Sequence, residues 1–321
     1  MWALVLIIIT LLTTTVHVRG VNNHARDSSI ERQTPRGMTR ESHIRSIIDY
    51  WTPERMALAH SMDLLIVNSS NVLKTIAEKP RQRAAIRRSV PGTLVGGSSQ
   101  SRSSTLPSAV GKFFFEMNHA DYVCSASVVI ADNQDMLLTA GHCVYDFDTQ
   151  SWGENFIFVP RYTSGSRPLG SWVWRKVATL NGWRQYEDYD YDVAVVLVET
   201  NSNGEHIDEF TGSLGMTSNW KKHAFVNVFG YPVRINNGQT MSMCTGTTSA
   251  SALNGFNGVE LPCRLGGGSS GGPWIQEYDT GKRNGYQTSV VSFGFDDRPN
   301  ISFAPYFGDS IWNFYQKYQN Q

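Results

Sequence analysis

The sequence predicts an all-β domain of antiparallel strands, arranged as a barrel or sandwich, that follows a mostly helical N-terminal segment. Short apolar runs rich in Val, Phe and Ile recur from residue 110 onward and are bounded by turn residues. The 321 residues include 28 glycines and 12 prolines but only 17% charged residues, a composition typical of many short strands and turns. Before residue 89 the apolar residues recur instead at helical spacing.

Residues 1–20 predict a secretory signal peptide, cleaved after Gly20. An apolar run extends from Trp2 to Leu12, too short to span a bilayer, and small and polar residues follow it. No later stretch reaches about 18 uninterrupted apolar residues, so no membrane anchor is expected. The protein is therefore expected to be secreted and extracellular.

The N-terminal segment, residues 21–88, is predicted to be mostly helical. One helix is expected at about 43–50 and another at 71–78. Between them Thr52 can cap a helix that has Pro53 in its first turn. The apolar face of this middle helix would be formed by Leu58, Met62, Leu65 and Ile66.

The charges are divided unevenly along a chain whose formal net charge is zero. Residues 21–88 contain 12 Lys/Arg and 7 Asp/Glu, whereas residues 89–321 contain 15 and 21. Either the two parts attract each other, or these are ordinary solvated surface charges. The zero total gives no reason to expect nucleic acid as a partner.

The composition changes at Arg87-Arg88. A stretch rich in Gly and Ser follows at 89–109, which predicts a flexible linker. Paired arginines before such a stretch suit a processing protease. The alternative, a basic linker that is never cut, stays open, although processing is favoured.

Ten apolar runs are predicted to be strands of the domain at 110–321, and a final helix is expected from Asp309 or Ser310 to about Tyr318. The predicted strands are 112–117, 122–130, 136–140, 155–159, 171–177, 193–199, 224–229, 240–244, 289–295 and 301–307.

The four cysteines of the secreted part, an even number, favour two disulfides in an oxidising compartment. They are Cys124, Cys143, Cys244 and Cys263. No Cys-x-x-Cys pattern occurs, so no zinc site is expected.

A glycine-rich run at 266–273 surrounds Ser270. So many glycines let the chain turn tightly, so that successive N–H groups converge on one point. Ser270 is then a candidate nucleophile, and the N–H groups of Gly268 and Ser270 could stabilise an oxyanion. An isolated run of this kind would more often be a flexible surface linker.

Two upstream stretches favour the nucleophile. His142 directly follows a predicted strand, and a disulfide from Cys143 to Cys124 would fix its loop, as a general base requires. Asp192 directly precedes an apolar run, where a carboxylate can orient that histidine. The neighbouring Asp190 is expected to be a solvated turn residue.

These stretches together resemble the chymotrypsin/trypsin-fold serine peptidases, in the chain order His, Asp, Ser. Residues 139–143 match the family's histidine motif, 192–195 its aspartate motif and 268–273 its nucleophile motif. Ser292-Phe293-Gly294 is similar to the strand edge that pairs with the substrate backbone. The resemblance covers about residues 110–321 and implies two antiparallel six-stranded β-barrels and a C-terminal helix.

What the resemblance implies is a serine endopeptidase that acts on protein or peptide substrates as a monomer, without metal or organic cofactor. Ser270 would attack the peptide carbonyl, His142 would act as base and then acid, and Asp192 would orient His142. Cys244 and Cys263 are expected to pair and to close a loop beside the pocket. The rival interpretation is a catalytically silent homologue that acts as a binding protein.

The chain departs from trypsin at Ser269, where the usual residue is the aspartate that pairs with a newly freed N-terminus. In this it resembles the V8-like, glutamyl-endopeptidase-like branch, which often carries a separate propeptide. Residues 21–88 are therefore interpreted as a propeptide that covers the cleft until it is cut at Arg87-Arg88. The residue preference stays open, because Arg264 stands at trypsin's specificity position and Val291 replaces the histidine of Glu-specific relatives.

Overall fold

The computed structural model describes residues 23–35, 37–62, 64–66, 85–94 and 105–321. The predicted signal peptide and the predicted helix at 71–78 lie outside these ranges. Within them, every helix is too short or too polar to cross a bilayer.

The described chain is mostly β-structure. Its helices are α1 (Asn23–Asp27), α2 (Arg40–Tyr50), α3 (Pro53–Leu58), α4 (Asn181–Tyr186), α5 (Ile207–Thr211) and α6 (Asp309–Tyr318). Its strands are β1 (Ser29–Gln33), β2 (His60–Ser61), β3 (Leu64–Ile66), β4 (Arg88–Val90), β5 (Val110–Met117), β6 (Ala120–Val128), β7 (Met136–Thr139), β8 (Tyr145–Asp146), β9 (Ser151–Trp152), β10 (Glu154–Pro160), β11 (Trp172–Leu180), β12 (Ala194–Val198), β13 (Gly215–Ser218), β14 (Phe225–Gly230), β15 (Ser242–Thr247), β16 (Ser249–Ala250), β17 (Val259–Leu261), β18 (Pro273–Asp279), β19 (Asn284–Val290), β20 (Phe293–Phe295) and β21 (Arg298–Ala304).

The first half of the domain is a closed antiparallel barrel. Its strands follow the order β11-β10-β5-β6-β7-β12, and pairing of β12 with β11 closes it. The interior is filled by apolar side chains such as Phe113 and Phe156, whose rings stack at 5.5 Å. The strands of this barrel lie where the apolar runs of the sequence predicted them.

The second half consists of two sheets, β15-β14-β18-β19-β13-β4 and β16-β17-β21-β20-β3. The C-terminal helix α6 is confirmed, and its predicted inner face of Ile311, Phe314, Tyr315 and Tyr318 is buried. The predicted arrangement of two β-barrels followed by a helix is therefore confirmed, with the first barrel closed and the second divided between two sheets.

The N-terminal segment contributes strands as well as helices to this architecture. β1 pairs antiparallel with β11, while β2 pairs parallel with β6 and β3 parallel with β20. The prediction that the helix starting at Pro53 continues to Ile66 is wrong: it ends at Leu58, whose side chain is 77% exposed. Pairing with two open sheet edges satisfies the backbone of the following residues, and this overrides their helical spacing.

Arginines of the N-terminal segment form ion pairs with acids of the domain, which favours attraction over solvated surface charge as the reason for the uneven charge distribution. The pairs are Arg26–Asp188, Arg32–Glu154 at 2.6 Å, Arg40–Glu199 at 2.9 Å and Arg55–Asp121 at 2.9 Å. In the first pair Asp188 is buried and Arg26 is 14% exposed, whereas the other three pairs are more exposed and individually weak.

Trp51, between α2 and α3, is the bulkiest buried side chain in the described part of the segment. Its side chain is 1% exposed, its Nε1 donates to the carbonyl of Asn155 at 2.5 Å, and its ring lies 5.5 Å from that of Phe114. About two turns earlier, in α2, the buried His43 bonds the Trp174 carbonyl through Nε2 at 2.7 Å. The segment is therefore docked by core-like packing and not by charge alone.

The described chain at Arg87-Arg88 and at the start of the predicted linker is paired with the domain. β4 pairs antiparallel with β13, with Arg88 opposite Ser218, and Arg88 forms an ion pair with Asp309. The Arg87 guanidinium lies over the Trp220 ring, 3.2 Å from its centroid, although the residue is exposed. The predicted processing site thus lies where an exposed stretch becomes a strand.

Candidate active site

His142 lies in a 3-10 turn, Gly141–Cys143, that directly follows β7. The disulfide Cys124–Cys143 links this turn to β6, with 6.3 Å between the two Cα atoms. A Cβ added to Gly141 would lie 2.9 Å from the Trp183 ring, so the turn packs tightly against its surroundings. The histidine side chain is 3% exposed and its position is fixed on both sides.

Asp192 ends the turn that precedes β12 and is fully buried. Its Oδ1 accepts the backbone N–H of His142 at 2.8 Å, and its Oδ2 lies 2.9 Å from the Nδ1 of His142. The hydroxyl of Ser292 also donates to Oδ2, at 2.5 Å. Since an ionised carboxylate can only accept, it favours the tautomer with hydrogen on Nδ1, which leaves Nε2 of His142 free to take a proton.

The glycine-rich turn needs its glycines. Gly268 and Gly271 have φ of +87° and +78°, and a Cβ at these positions would lie 2.5 Å from the Tyr231 carbonyl and 2.0 Å from Thr139 Oγ1. In the described part of the chain, the N–H groups of Gly268 and Ser270 have no acceptor. These two donors are the ones predicted to bind an oxyanion.

Ser269 stands where trypsin has an aspartate, and its hydroxyl makes a hydrogen bond within the turn. It is fully buried, and its hydroxyl donates to the Gly266 carbonyl while its N–H donates to the same oxygen at 3.1 Å. The turn is thus closed by neutral groups of its own, with no carboxylate that would need a freed amino terminus.

The hydroxyl of Ser270 donates to the backbone carbonyl of Met62, at 3.1 Å, and not to the histidine. Among the described residues, Nε2 of His142 is buried and has no hydrogen-bond partner. The N-terminal segment therefore engages the hydroxyl of the candidate nucleophile. The two residues are 208 positions apart in the chain, so no local sequence pattern indicated this contact.

The strand edge 292–294 is occupied too. β3 pairs with β20, with Leu64 opposite Phe293 and Leu65 opposite Gly294. Ser292 lies just before β20, and its hydroxyl faces Asp192, a role that the sequence analysis missed because the two residues are 100 positions apart. An edge strand with unpaired groups is a ready site for an extended peptide, and here the chain itself supplies that peptide.

Beyond that edge, Arg264 lies against Gly294 and donates from Nη1 to the Phe295 carbonyl at 3.0 Å. The adjacent Cys263 pairs with Cys244 of β15, so that the second predicted disulfide also forms. It ties the loop that carries Arg264 to β15 on the neighbouring sheet.

The family profile described as "Trypsin-like peptidase domain" matches residues 124–282, which include His142, Asp192 and Ser270. The solved thermostable serine protease AL20 from an extremophilic microorganism is 32% identical, with a TM-score of 0.62, over 67% of this chain and 98% of that one. The chain belongs to the trypsin-like serine peptidases.

Two further solved structures that resemble this chain differ in what they support. The protease Anisep from Arthrobacter nicotinovorans is 33% identical, with a TM-score of 0.62, over 68% of this chain and 99% of that one. A Glu endopeptidase solved in complex with MPD is 18% identical, with a TM-score of 0.54, over 73% of this chain and 97% of that one. At that identity the resemblance to the V8-like branch shows a shared fold.

A curated relative, the extracellular metalloprotease of Bacillus subtilis (strain 168), is 23% identical over 163 residues, or 49% of this chain. The chain spans about half the length of that relative, 47%. In this trypsin-like chain the described residues contain one His/Cys group with metal-binding spacing, Cys124, His142 and Cys143. The two sulfurs of that group are joined in a disulfide and are therefore not thiolate ligands.

Proposed function

We propose that this serine-type endopeptidase is secreted, acts through the triad Ser270, His142 and Asp192, and is made as a zymogen. The observation that carries the proposal is the bond between Asp192 and His142 Nδ1, which leaves Nε2 as a base in a buried site. Beside it are two N–H donors for which the described residues supply no acceptor. Both disulfides and the apolar run from Trp2 to Leu12 support secretion.

The reaction follows from these positions. His142 Nε2 takes the hydroxyl proton as Ser270 Oγ forms a bond to the substrate carbonyl carbon, and the N–H groups of Gly268 and Ser270 stabilise the oxyanion. His142 then gives the proton to the leaving amine as the C–N bond breaks, which leaves an acyl-enzyme. Water, deprotonated by His142, hydrolyses the acyl-enzyme and restores Ser270.

The contact between Ser270 and Met62 supports latency. While the Ser270 hydroxyl donates to the Met62 carbonyl, it does not donate to His142, so the proton transfer that activates the nucleophile is blocked. Met62 is held there because its own N–H donates to the Val123 carbonyl at 3.0 Å. The N-terminal segment thus acts as a propeptide that covers the site.

The direction of the segment explains how it could cover the site without being a substrate. The acyl part of a substrate would lie along β20, the strand that includes the edge similar to the substrate-pairing edge of the family. The leaving part would lie along β6, because the disulfide joins β6 to the turn of His142, which protonates the leaving amine. In the segment the order is reversed, since β2 lies on β6 and the later strand β3 lies on β20. The main chain therefore crosses Ser270 with the opposite polarity, and the Met62 carbonyl is bonded through its oxygen instead of being attacked at carbon.

Labelling of the full-length secreted protein by a fluorophosphonate, before and after processing, tests the proposal. We expect label on Ser270 after processing, none in His142→Ala, and slow labelling in the variant with both Arg87→Ala and Arg88→Ala. Absence of label on the processed, folded protein would favour a silent binding homologue. Equally fast labelling before and after processing would contradict latency.

A synthetic peptide of residues 59–67 tests the reversed polarity with the processed enzyme. We expect it to inhibit turnover and to remain uncut between residues 62 and 63 over many turnovers of a control peptide. Rapid cleavage at that bond, seen by mass spectrometry, would mean that the segment binds as a substrate does.

A further inference from the structure

We propose that Ser125 is a positioning residue that holds the oxyanion-binding turn in its working shape. This proposal rests on the function proposed above, because it concerns the same turn. Ser125 lies in β6, is fully buried and does not contact the reacting atoms in the described structure.

The hydroxyl of Ser125 bridges two backbone groups on either side of the turn. It accepts the N–H of Tyr231 at 2.9 Å and donates to the carbonyl of Gly268 at 2.8 Å. Its backbone N–H donates to the carbonyl of Ser270 at 2.7 Å, and its carbonyl accepts Thr139 Oγ1 at 2.9 Å. One residue is therefore bonded to both oxyanion-binding residues and to the strand that leads to His142.

The bridge matters because of where the N–H of Gly268 must point. The carbonyl of Gly267 accepts the N–H of Val233 at 2.8 Å, and the N–H of the same planar peptide, that of Gly268, points the opposite way. Gly268 has a φ of +87°, a conformation reached easily only by glycine and held only by what surrounds it. Ser125 fixes the carbonyl of Gly268 itself, on the other side of the Gly268 Cα. The N–H of Gly268 therefore cannot turn away without loss of the Val233–Gly267 bond or the Ser125–Gly268 bond.

Removal of the hydroxyl would leave a buried donor, Tyr231 N–H, and a buried acceptor, Gly268 C=O, facing each other across the space of one oxygen atom. Because buried unpaired groups are costly, the two would move towards each other. That movement would turn Gly268, and its N–H would no longer point at the oxyanion. Ser125 would therefore affect the transition state more than substrate binding.

The same strand offers a matched control in Ser127. It is also fully buried, two residues further along and on the same face, but its hydroxyl donates to Gln287 Oε1 at 2.8 Å. Ser125→Ala and Ser127→Ala each remove one buried hydroxyl from β6, and only the first removes a bond to the turn. The sequence Cys-Ser-Ala-Ser does not distinguish the two serines.

The experiment compares wild type, Ser125→Ala, Ser127→Ala and Ser270→Ala as processed enzymes. Active sites of the first three are counted by complete fluorophosphonate titration, and Ser270→Ala, which takes no label, is matched to them by protein concentration. For Ser125→Ala we expect kcat on a peptide amide to fall about 10- to 100-fold with KM within about threefold of wild type. Binding of a peptide aldehyde, whose hemiacetal oxygen occupies the oxyanion position, should weaken by a similar factor. Ser127→Ala should keep kcat and aldehyde affinity near wild type, with a comparable loss of Tm.

Two results would overturn the proposal: a kcat of Ser125→Ala within twofold of that of Ser127→Ala, or a lower kcat with unchanged aldehyde affinity. In either case, turnover by wild type that is absent in Ser270→Ala would leave the proposed function intact. If wild type itself gave no turnover, the proposed function would fail, and the assignment of Ser125 with it.

Discussion

Replacement of Trp51 by alanine should release latency without touching the active site. The indole is 1% exposed and packs between the segment and the barrel, next to Phe114. Truncation of a buried tryptophan costs about 3–5 kcal/mol, and here the loss falls on the docked state alone, because the undocked segment exposes the side chain. At about 1.4 kcal/mol per factor of ten, the undocked fraction should rise about 150- to 4,000-fold.

The assay is the rate of Ser270 labelling by a fluorophosphonate in unprocessed protein that carries Arg87→Ala and Arg88→Ala. Labelling requires Ser270 to be released from Met62, so its rate follows the undocked fraction until docking is lost. Leu58→Ala is the matched control in the same segment, since Leu58 is 77% exposed and should leave the rate unchanged. Trp51→Phe keeps most of the packing and should give an intermediate rate.

Labelling of Trp51→Ala no faster than that of Leu58→Ala, with normal labelling of both after proteolytic removal of the segment, would refute this reasoning. Latency would then depend on the strand pairings and not on the packing of the helices. A graded series, with Trp51→Phe between wild type and Trp51→Ala, guards against misfolding as an explanation.

Three other changes have expected outcomes. Asp192→Asn should lower kcat about ten-thousandfold, because an amide NH₂ that faces Nδ1 of His142 favours the wrong tautomer, and peptide-amide kinetics with unchanged circular dichroism would check it. Gly271→Ala should lower the free energy of unfolding by about 3 kcal/mol, measured in urea, because a Cβ would lie 2.0 Å from Thr139 Oγ1 at a φ of +78°. Burial lowers the pKa of Lys112 to about 8, so between pH 8 and about 10.4 the unfolded chain binds a proton that the folded chain has lost. The free energy of unfolding of wild type should therefore rise by about 2.5 kcal/mol relative to Lys112→Met between pH 7 and pH 10, measured by urea titration at both pH values.

The domain strands could be predicted where apolar residues alternate or run together, and less well where they do not. β18 was missed because it begins at Pro273 and contains Gln276, Glu277 and Asp279, although it lies in the middle of a sheet. β1 was missed because Ser-Ile-Glu-Arg-Gln has one apolar residue, and its pairing with β11 satisfies the backbone regardless of side chains. Neither strand contains a long apolar run or a regular alternation of apolar and polar residues from which it could be predicted.

The sequence motifs of the active site could be predicted, but the long-range hydrogen bonds that hold it together could not. His142, Asp192 and Ser270 stand in short local patterns, and the turns that hold them are visible in the sequence. The bridges made by Ser125 and Ser292 join residues 100 or more positions apart, and a serine in a strand has the same local appearance whether or not it makes such a bond.

The strands β1, β2 and β3 make the segment part of the sheets of both halves of the domain, which bears on how the enzyme can fold. β1 pairs with a strand about 150 positions away, and β3 with one about 230 positions away, so these pairings are slow to form and depend on a continuous chain. With the segment present, each half of the domain can assemble against a template that is already attached. Once the segment is removed, that template is lost, and the processed enzyme should persist because it unfolds slowly and not because it can readily refold.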